Sequence, residues 1–352
     1  MKKVCIQVPQ HLGERVRIHL IKEALLDDQF PISKDNDLLC FPLKRPLSKT
    51  AQNTLEHVTD NYTLVTKDLT PVNRRPQTLA AALRGQLPDH IFDAIPHSFD
   101  TIGDIAIVEL DSSLEEHAKL IGKAIMTVNS RIKTVYAKEG GVEGVYRVRP
   151  LRHIAGKLQT TTIHKEYGLQ LAVDVTKTYF SPRLSTEHDR VANLVQPDEV
   201  VVDMFTGVGP FALLIAKRQQ AKVYAIDMNE AAIHCLQKSR DLNQLRGEVV
   251  ALTGDARTLI EQSLHGEADR VIMNLPHSAM EFIDSAVQAL KPTGGVVHFY
   301  NITSDTQSLD SVTKTVMNRV AQCNRSAKVI FSRTVRPAAP HEFQVVIDLQ
   351  VS

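Results

Sequence analysis

The sequence predicts an α/β fold in which a doubly wound, mostly parallel sheet occupies the second half of the chain. Three observations support this prediction. From about residue 176, short apolar segments typical of buried strands alternate with segments of helical periodicity. A glycine turn, Gly207-Val-Gly209, lies between the first of these strands and the helix that follows it. The last two apolar segments are joined by a short proline-rich turn at 335–340, so we expect them to pair antiparallel.

The individual elements of this sheet follow from the spacing of the apolar residues. The predicted strands lie at 200–204, 222–226, 247–253, 269–273, 294–300, 327–333 and 343–350. The predicted helices lie at 186–195, 209–218, 229–243, 277–290 and 305–321.

The first half of the chain predicts two smaller regions joined by a connection. A strand, a helix and a second strand are expected at 3–8, 12–26 and 37–42, and a helix followed by a strongly β-type series begins after residue 112. Prolines interrupt the part between these regions, apart from a short helical stretch at 78–83. The predicted domains are a small α/β module at 1–70, a linker at 71–95, a β-rich middle domain at 96–175 and the sheet domain at 176–352.

The composition excludes several classes of protein. Among 352 residues, 43% are hydrophobic and no apolar run reaches the length of about 18 that a membrane span needs, so we expect no membrane association. The four cysteines are scattered and form no CxxC pair, which argues against a zinc site and against a disulfide framework. No secretory signal is recognisable at the start. We therefore expect a protein of the cytoplasm that holds no metal.

The charge is unevenly distributed. The net charge of +1 does not by itself predict a nucleic-acid partner, but 131–166 contains eight basic residues against three acidic ones. Within it, Arg147 and Arg149 alternate along a strand expected at 144–150, so they share one face. Such a basic stripe is consistent with docking a phosphate backbone, and equally with a solvated strand surface.

The segment Val200-Val-Val-Asp203-Met-Phe-Thr-Gly207-Val-Gly209-Pro-Phe-Ala212 contains a strand, a glycine turn and the start of a helix. Such a turn lets the backbone approach a ligand, and the helix offers free N–H groups. The spacing also satisfies the dinucleotide fingerprint, with Asp227 at the distance of a ribose-binding acid. From the turn alone, an AdoMet site, a nicotinamide site and a purely structural junction all remain open.

Polar residues at the ends of the other strands favour AdoMet. Asp203 precedes the glycines, where an anion suits the cationic methionine part of AdoMet and would repel a pyrophosphate. Asp255 ends the third strand, where it can face the adenine amino group, and Asn274 ends the fourth. With the terminal hairpin, this is the arrangement of class I methyltransferases, which have a Rossmann-like sheet. The predicted cofactor residues from these segments are Asp203, Phe205, Gly207, Gly209, Asp227, Met228, Asp255, Ala256 and Asn274.

Asn274-Leu-Pro276 is similar to the motif of methyltransferases that act on amino groups of bases, although His277 stands where the aromatic residue is expected. A planar amide can hold the edge of a base beside the methyl group. Carbon methylation of pyrimidines generally needs a cysteine near this motif, and none is close in the sequence. The segment before the sheet carries a capping pattern, Thr186-x-x-Asp189, which places Glu187 in the first turn of a helix. Dipole stabilisation and catalysis both explain an acid there.

Seven motifs occur in a fixed order from Phe99 onward: FDTIGDIAIVEL, GVYRVR, YFSPRLSTEHDR, VVDMFTGVGPFA, AIDMN, GDAR and MNLPHSA. As a set they resemble the archaeal and eukaryotic tRNA (guanine-N1)-methyltransferases that modify position 37. The resemblance implies that tRNA is the partner and that the N-terminal module contacts the outer corner of the tRNA. The first 90 residues match the family only in size and in their βαβ-like character.

The resemblance also implies roles for individual residues. Glu187 would take the proton from N1 of guanine, Arg147 would stabilise the charge that develops on O6, and Asn274 would hold the guanine edge. Pro276 and Tyr179 would line the substrate pocket, with Arg149 beside Arg147. His188 matches a position that touches AdoMet. Without the resemblance, a phosphate-binding role for Arg147 is favoured.

Three alternatives remain open from the sequence. A wybutosine-pathway enzyme would transfer the aminocarboxypropyl group of AdoMet instead of the methyl group. A nicotinamide dehydrogenase is compatible with the glycine pattern but lacks a hydride-transfer constellation. A tRNA-binding protein without catalysis is the third, and the presence of Arg147, Glu187 and Asn274 argues against it. We expect a monomer.

Overall fold

The structure is a computed structural model that describes residues 1–72, 76–140, 148–305 and 308–352. The chain divides into two compact units, Met1–Pro76 and Gln77–Ser352. Among the described residues, no helix is both long and apolar enough to cross a bilayer.

The described residues of the first unit form a four-stranded antiparallel sheet with two α-helices. The sheet has the order β2-β3-β1-β4, and its strands are β1 (Lys2–Pro9), β2 (Ser33–Asp35), β3 (Leu38–Pro42) and β4 (Thr63–Asp68). The helices are α1 (Gly13–Lys22) and α2 (Lys49–Glu56). The predicted strand–helix–strand start is present, but its two strands pair antiparallel rather than parallel. The core of this unit forms where one face of the sheet, including Ile6 and Phe41, packs against Leu20 of α1.

A second sheet, with four strands in the part of the chain that the structure describes, lies in the larger unit. Its order is β5-β6-β7-β8, and a hairpin, β9-β10, follows it. The strands are β5 (Asp100–Ile102), β6 (Ile105–Val108), β7 (Thr134–Lys138), β8 (Leu151–Gly156), β9 (Thr161–Glu166) and β10 (Leu169–Asp174). Alternate residues of β6 enter different cores, since Ala106 packs with α4 (Ala118–Val128) and Ile107 packs with the large sheet. The hairpin residues Leu169 and Leu171 also belong to the core of the large sheet.

The large sheet has seven strands in the described residues, in the order β13-β12-β11-β14-β15-β17-β16. The strands are β11 (Val200–Asp203), β12 (Lys222–Asp227), β13 (Glu248–Thr253), β14 (Arg270–Met273), β15 (Gly295–Ser304), β16 (Ala327–Ala339) and β17 (Glu342–Val351). All neighbours from β13 to β15 are parallel, and β17 is antiparallel to both β15 and β16. The predicted fold class and terminal hairpin are confirmed.

Helices cover both faces of the large sheet, as a doubly wound fold requires. One core contains residues of α5 (Ser185–Leu194), α6 (Pro210–Arg218) and α7 (Glu230–Asp241). The opposite core contains residues of α8 (Ala256–Leu259), α9 (Ile283–Ala289) and α10 (Leu309–Gln322).

The prolines near the end of the chain do not form the turn that the sequence predicts at 335–340. β16 continues through Pro337 to Ala339, with irregular register at three points, and the chain reverses at Pro340 and His341. Proline is tolerated here because β16 is the edge strand of the sheet, so its missing N–H removes no ladder hydrogen bond to a further strand.

The predicted linker at 71–95 is also different in the structure. It contains α3 (Leu79–Leu83) and a 3₁₀ helix at Asp89–Ala94. Apolar side chains of this segment, including Leu83 and Ile91, are buried in the core beneath β6 and α4. The prolines break the segment into short helices but do not prevent its apolar residues from packing.

Leu83→Ala tests whether this segment is structural. Leu83 is 0% exposed. Truncation of a buried leucine lowers the free energy of unfolding by about 2–5 kcal/mol, whereas a substitution in an exposed linker changes it by no more than about 0.5 kcal/mol. We expect a clear fall in the free energy of unfolding of the full chain, measured by urea denaturation. Arg84→Ala, at the exposed neighbouring position, is the control. Equal stability of the two variants would contradict the packing role.

Candidate active site

A cavity of about 840 Å³ opens where the parallel strands β11–β14 end. The end of each strand contributes one part of its wall, which is the usual ligand position in open α/β sheets. Ten of the residues that the sequence predicts for the site line this cavity: Arg149, Tyr179, Phe205, Gly207, Asp227, Met228, Asp255, Ala256, Asn274 and Pro276.

The glycine turn shapes the floor of the cavity. Gly207 and Gly209 have φ values of 55° and 85°, a conformation that glycine adopts without strain. The Gly207 N–H donates to the Asp227 carboxylate at 2.8 Å, which joins the ends of β11 and β12. Gly209 does not line the cavity; a Cβ added to it would lie 2.7 Å from the Leu236 side chain. Its role is therefore to allow close packing of α6 against α7.

Asp203 is buried beneath this turn, at 0% exposure, and is not part of the cavity wall. Its carboxylate oxygens and the hydroxyl of the neighbouring Thr206 form no well-aligned hydrogen bond among the described residues. Burial raises the pKa of Asp203 to about 7; the nearby Thr206 hydroxyl and Phe205 N–H oppose part of this rise, and the charge of Asp227 adds a smaller upward contribution. A buried carboxyl that is so weakly paired favours a nearby cation or hydrogen-bond donor, as the methionine ammonium of AdoMet would supply.

The remaining walls suit a nucleoside. Phe205 and Phe282 pack edge to face, with ring centroids 4.9 Å apart, and Met228 lies across the same cavity. Asp255 caps α8 and accepts hydrogen bonds from Arg257, which lower its pKa and keep it ionised. Carboxylates can accept from the ribose hydroxyls and the adenine amino group, and the apolar wall can pack on the adenine ring, so this arrangement fits AdoMet. Phe282 was not predicted because its position in an expected helix gave no sign that it faces the site.

Asn274 is held by Gln344, which is held in turn by Arg336, and the sequence analysis missed both residues. Its Oδ1 accepts from Gln344 Nε2 at 3.2 Å, and Gln344 Oε1 accepts from Arg336 Nε at 3.0 Å. All three side chains line the cavity. Gln344 and Arg336 lie directly opposite each other on β17 and β16, a juxtaposition that depends on strand register and has no sequence signature.

Glu187, the proton acceptor that the resemblance implies, does not line the cavity. It is 0% exposed and accepts hydrogen bonds from Tyr300 at 2.7 Å, from Arg190 at 3.0 Å and from Arg333 Nε at 3.0 Å. Burial alone would raise the pKa of Glu187, but these donors lower it below its ordinary value. In this arrangement the carboxylate is ionised, and its oxygens are engaged by these three donors.

Arg190 extends this group of charges. It also pairs with Asp348, which accepts at 2.6 Å, and Asp348 in turn bonds His298 at 2.7 Å. We refer to Glu187, Arg190, Arg333, Tyr300 and Asp348 as the Glu187 network. Its members are held by α5 and by the last three strands of the sheet.

His188, which the resemblance implies touches AdoMet, is likewise outside the cavity wall. It is 1% exposed, bonds Glu166 at 2.7 Å and packs edge to face on Phe211. It therefore connects α5 to the β9-β10 hairpin and to α6. Arg147 lies outside the described residues, so its predicted position is not assessed.

The basic stripe at 131–166 is partly neutralised in the fold. Lys133 pairs with Asp104 at 3.0 Å, Lys138 with Glu109 at 3.0 Å, and Arg152 with Glu115 and Glu139. These acids include residues outside the stripe, so counting charges along the sequence overestimates the positive charge that these residues present. Arg149 lines the cavity.

Three known families match successive parts of the chain. The tRNA methyltransferase 5 N-terminal domain matches residues 5–51, the TYW2 N-terminal domain matches residues 79–160, and the TRM5/TYW2 methyltransferase domain matches residues 162–330.

The similarity to one relative extends over the whole chain. The tRNA (guanine(37)-N(1))-methyltransferase Trm5b of Pyrococcus abyssi is 37% identical over 349 residues, which cover 99% of each chain. The complex structure of aTrm5 and tRNALeu matches with a TM-score of 0.82 at 32% identity, covering 99% of this chain and 100% of that one. P. horikoshii TYW2 in complex with MeSAdo matches with a TM-score of 0.67 at 27% identity, covering 78% of this chain and 97% of that one. The resemblance inferred from the sequence is confirmed: the chain belongs to the TRM5/TYW2 methyltransferase family.

Proposed function

We propose that the protein transfers the methyl group of AdoMet to N1 of guanine at position 37 of tRNA. The observation that carries this proposal is the cavity itself, whose wall combines acidic and aromatic side chains suited to a nucleoside with the amide of Asn274. The full-length similarity to a tRNA (guanine(37)-N(1))-methyltransferase supports the same substrate and position.

The residues of the cavity divide between cofactor and substrate. Asp227 and Asp255 suit the ribose hydroxyls and the adenine amino group, with Phe205 and Met228 against the adenine ring. Asp203 supplies negative potential beneath the turn. Asn274 and Pro276 hold the guanine, with Tyr179 and Arg149 on the substrate side. AdoMet supplies an electrophilic methyl group when bound; this chain's residues orient the acceptor and remove its proton.

Proton removal from N1 of guanine is assigned to Glu187. The carboxylate is ionised, but its lowered pKa makes it a weak base while three donors hold it. Arg333 is the partner most accessible to solvent, with its side chain 42% exposed. Because Glu187 is buried outside the cavity wall, the proposed proton transfer requires Arg333 to leave it. Exchange of Arg333 from Glu187 to an RNA phosphate would uncover the carboxylate, raise its pKa towards the ordinary value and free an oxygen for the proton. Arg147 is assigned to the developing charge on O6.

The remaining assignments follow from the same proposal. The unit Met1–Pro76 contacts the outer corner of the tRNA, in keeping with the family match over residues 5–51. The protein acts as a monomer, because one chain with its own RNA-binding unit needs no second copy to hold tRNA. The cytoplasm is the proposed location, in keeping with tRNA as the substrate.

Aminocarboxypropyl transfer is the second candidate, because the TYW2 N-terminal domain matches residues 79–160. The greater extent and identity of the similarity to Trm5b favour methyl transfer. The two reactions differ in their products, S-adenosylhomocysteine for methyl transfer and methylthioadenosine for the alternative.

Incubation with labelled AdoMet and unmodified tRNA transcripts tests the proposed reaction. We expect 1-methylguanosine at position 37 and S-adenosylhomocysteine, both identified by mass spectrometry. A transcript with adenosine at position 37 is the control and should remain almost unmodified. Methylthioadenosine as the main product, or equal labelling of the two transcripts, would contradict the proposal.

Glu187→Gln should reduce kcat on tRNA by roughly 10²- to 10⁴-fold, the usual contribution of a general base, and leave AdoMet binding unchanged. Single-turnover kinetics and calorimetry measure the two effects. Asp348→Asn is the matched control, because Asp348 belongs to the same network but does not contact Glu187. If both variants lose turnover to the same extent, Glu187 acts as a structural anchor and not as the base.

AdoMet affinity should rise with pH because of Asp203. The pKa of Asp203 in the free protein is about 7, so the carboxyl is mostly protonated below that pH. The bound proton stabilises the folded free protein at low pH, and this stabilisation is lost as the pH rises through 7. A cation above the turn favours the ionised form, so binding releases a proton below pH 7. Calorimetry between about pH 5.5 and 7.5 should show an affinity rising by at most about tenfold per pH unit.

Asp203→Asn should bind AdoMet more weakly and with a flatter pH dependence. Part of the pH dependence should remain, because burial also raises the pKa of Asp227. Asp255→Asn is the control: that carboxyl has a lowered pKa, so it is ionised throughout the range. It should lose affinity and keep the wild-type slope. Identical slopes in wild type and Asp203→Asn would exclude Asp203 as the titrating group.

A further inference from the structure

Arg336, Gln344 and Asn274 form a chain of hydrogen bonds whose direction is determined at one end. Arginine carries only donors, so the amide atom of Gln344 that faces Arg336 must be the oxygen. The Gln344 NH2 group then faces Asn274, and the atom of Asn274 that receives it must be Oδ1. The Arg336 end thus determines which branch of each amide is the oxygen and which is the NH2 group, an assignment that would otherwise be ambiguous for Gln344 and Asn274.

The chain is built into the sheet. Gln344 is 1% exposed and sits in β17, opposite Arg336 on one side and Ile302 on the other. The Ile302 N–H donates to the Pro276 carbonyl at 3.1 Å, which attaches the Asn274–Pro276 loop to the neighbouring strand β15. Both the backbone and the side chain of the loop are therefore held by the last strands of the sheet, so the Asn274 amide has little freedom to rotate.

The consequence concerns the group that Asn274 offers to a base. With Oδ1 turned to Gln344, the NH2 group on the other branch of the amide points away from Gln344. A donor at this place pairs with an acceptor on the base edge. Guanine and hypoxanthine carry an acceptor, O6, where adenine carries a donor, N6–H2.

We propose that Gln344 is a positioning residue that sets the specificity of the site for a 6-oxopurine by fixing the donor face of Asn274, with Arg336 setting the direction of the chain. This inference rests on the proposed function and adds the residue that selects guanine against adenine. Gln344 acts through Asn274, and it is a different residue from the proposed base.

Gln344→Glu is the decisive variant, because glutamate keeps the size and the pairing with Arg336 but can no longer donate to Asn274. The Asn274 amide should then turn, donate to the new carboxylate and present its oxygen to the base. We expect kcat/KM for transcripts with guanosine at position 37 to fall roughly ten- to hundredfold. Inosine at position 37, which shares O6, should lose as much. The ratio of activity on guanosine to activity on adenosine should fall by a similar factor, while the Kd for AdoMet stays unchanged.

Gln350→Glu is the matched control. Gln350 lies on the same strand and donates to the Gly295 carbonyl, away from the cavity. It should behave as wild type. Gln344→Met is a second variant that removes both hydrogen bonds at similar volume, and it decides the question if Gln344→Glu does not fold. It should lower turnover on guanosine and inosine together, again without affecting AdoMet binding.

Two outcomes would overturn the inference: folded Gln344 variants with wild-type turnover and wild-type discrimination, or a uniform loss that also weakens AdoMet binding, which is the behaviour of a structural residue. Failure of the proposed function would be recognised separately, because the wild-type protein would then not methylate guanosine 37 at all.

Discussion

The antiparallel pairing of β15 with β17 is the interaction on which the substrate side of the molecule depends. Its register sets His298 opposite Asp348, Tyr300 opposite Val346 and Ile302 opposite Gln344. A slip of one residue would turn Gln344 and Asp348 to the other face of the sheet, since side chains alternate along a strand. Both the support of Asn274 and the pairing of Arg190 would then be lost.

The same face of the sheet contains buried charges that are stable only because they are paired. Removing an ionised carboxylate from water costs several kcal/mol, and the Glu187 network offsets that cost with several charged or hydroxyl donors. Asp203 shows the opposite solution. It forms no well-aligned hydrogen bond among the described residues, and its pKa rises because the neutral form avoids the cost of desolvation. One carboxyl is therefore held ionised by its donors, while burial favours the neutral form of the other.

Much of the site was predictable because it lies at strand ends. Asp227, Asp255 and Asn274 each end a strand that its apolar run identifies, and parallel strands bring their carboxyl ends to one edge. The positions of Glu187 and His188 were not predictable. Their motif identifies a helix, but their partners Arg333 and Glu166 lie far away in the sequence, and these partners determine which way the two side chains face. The segment at 79–95 was misjudged for a similar reason, because prolines mark breaks in helices and not whether the pieces pack.

The sequence by itself determined four things: the alternation of strands and helices, the glycine turn, the acidic residues of the cofactor site and the family. These features are local, because they depend on residue type and short spacing. The tertiary structure alone decided that Asp203 is fully buried, that Glu187 is enclosed by donors, and that Gln344 donates to Asn274. Those properties depend on register and burial, which bring residues 70 or more positions apart into contact, and no short pattern in the chain encodes them.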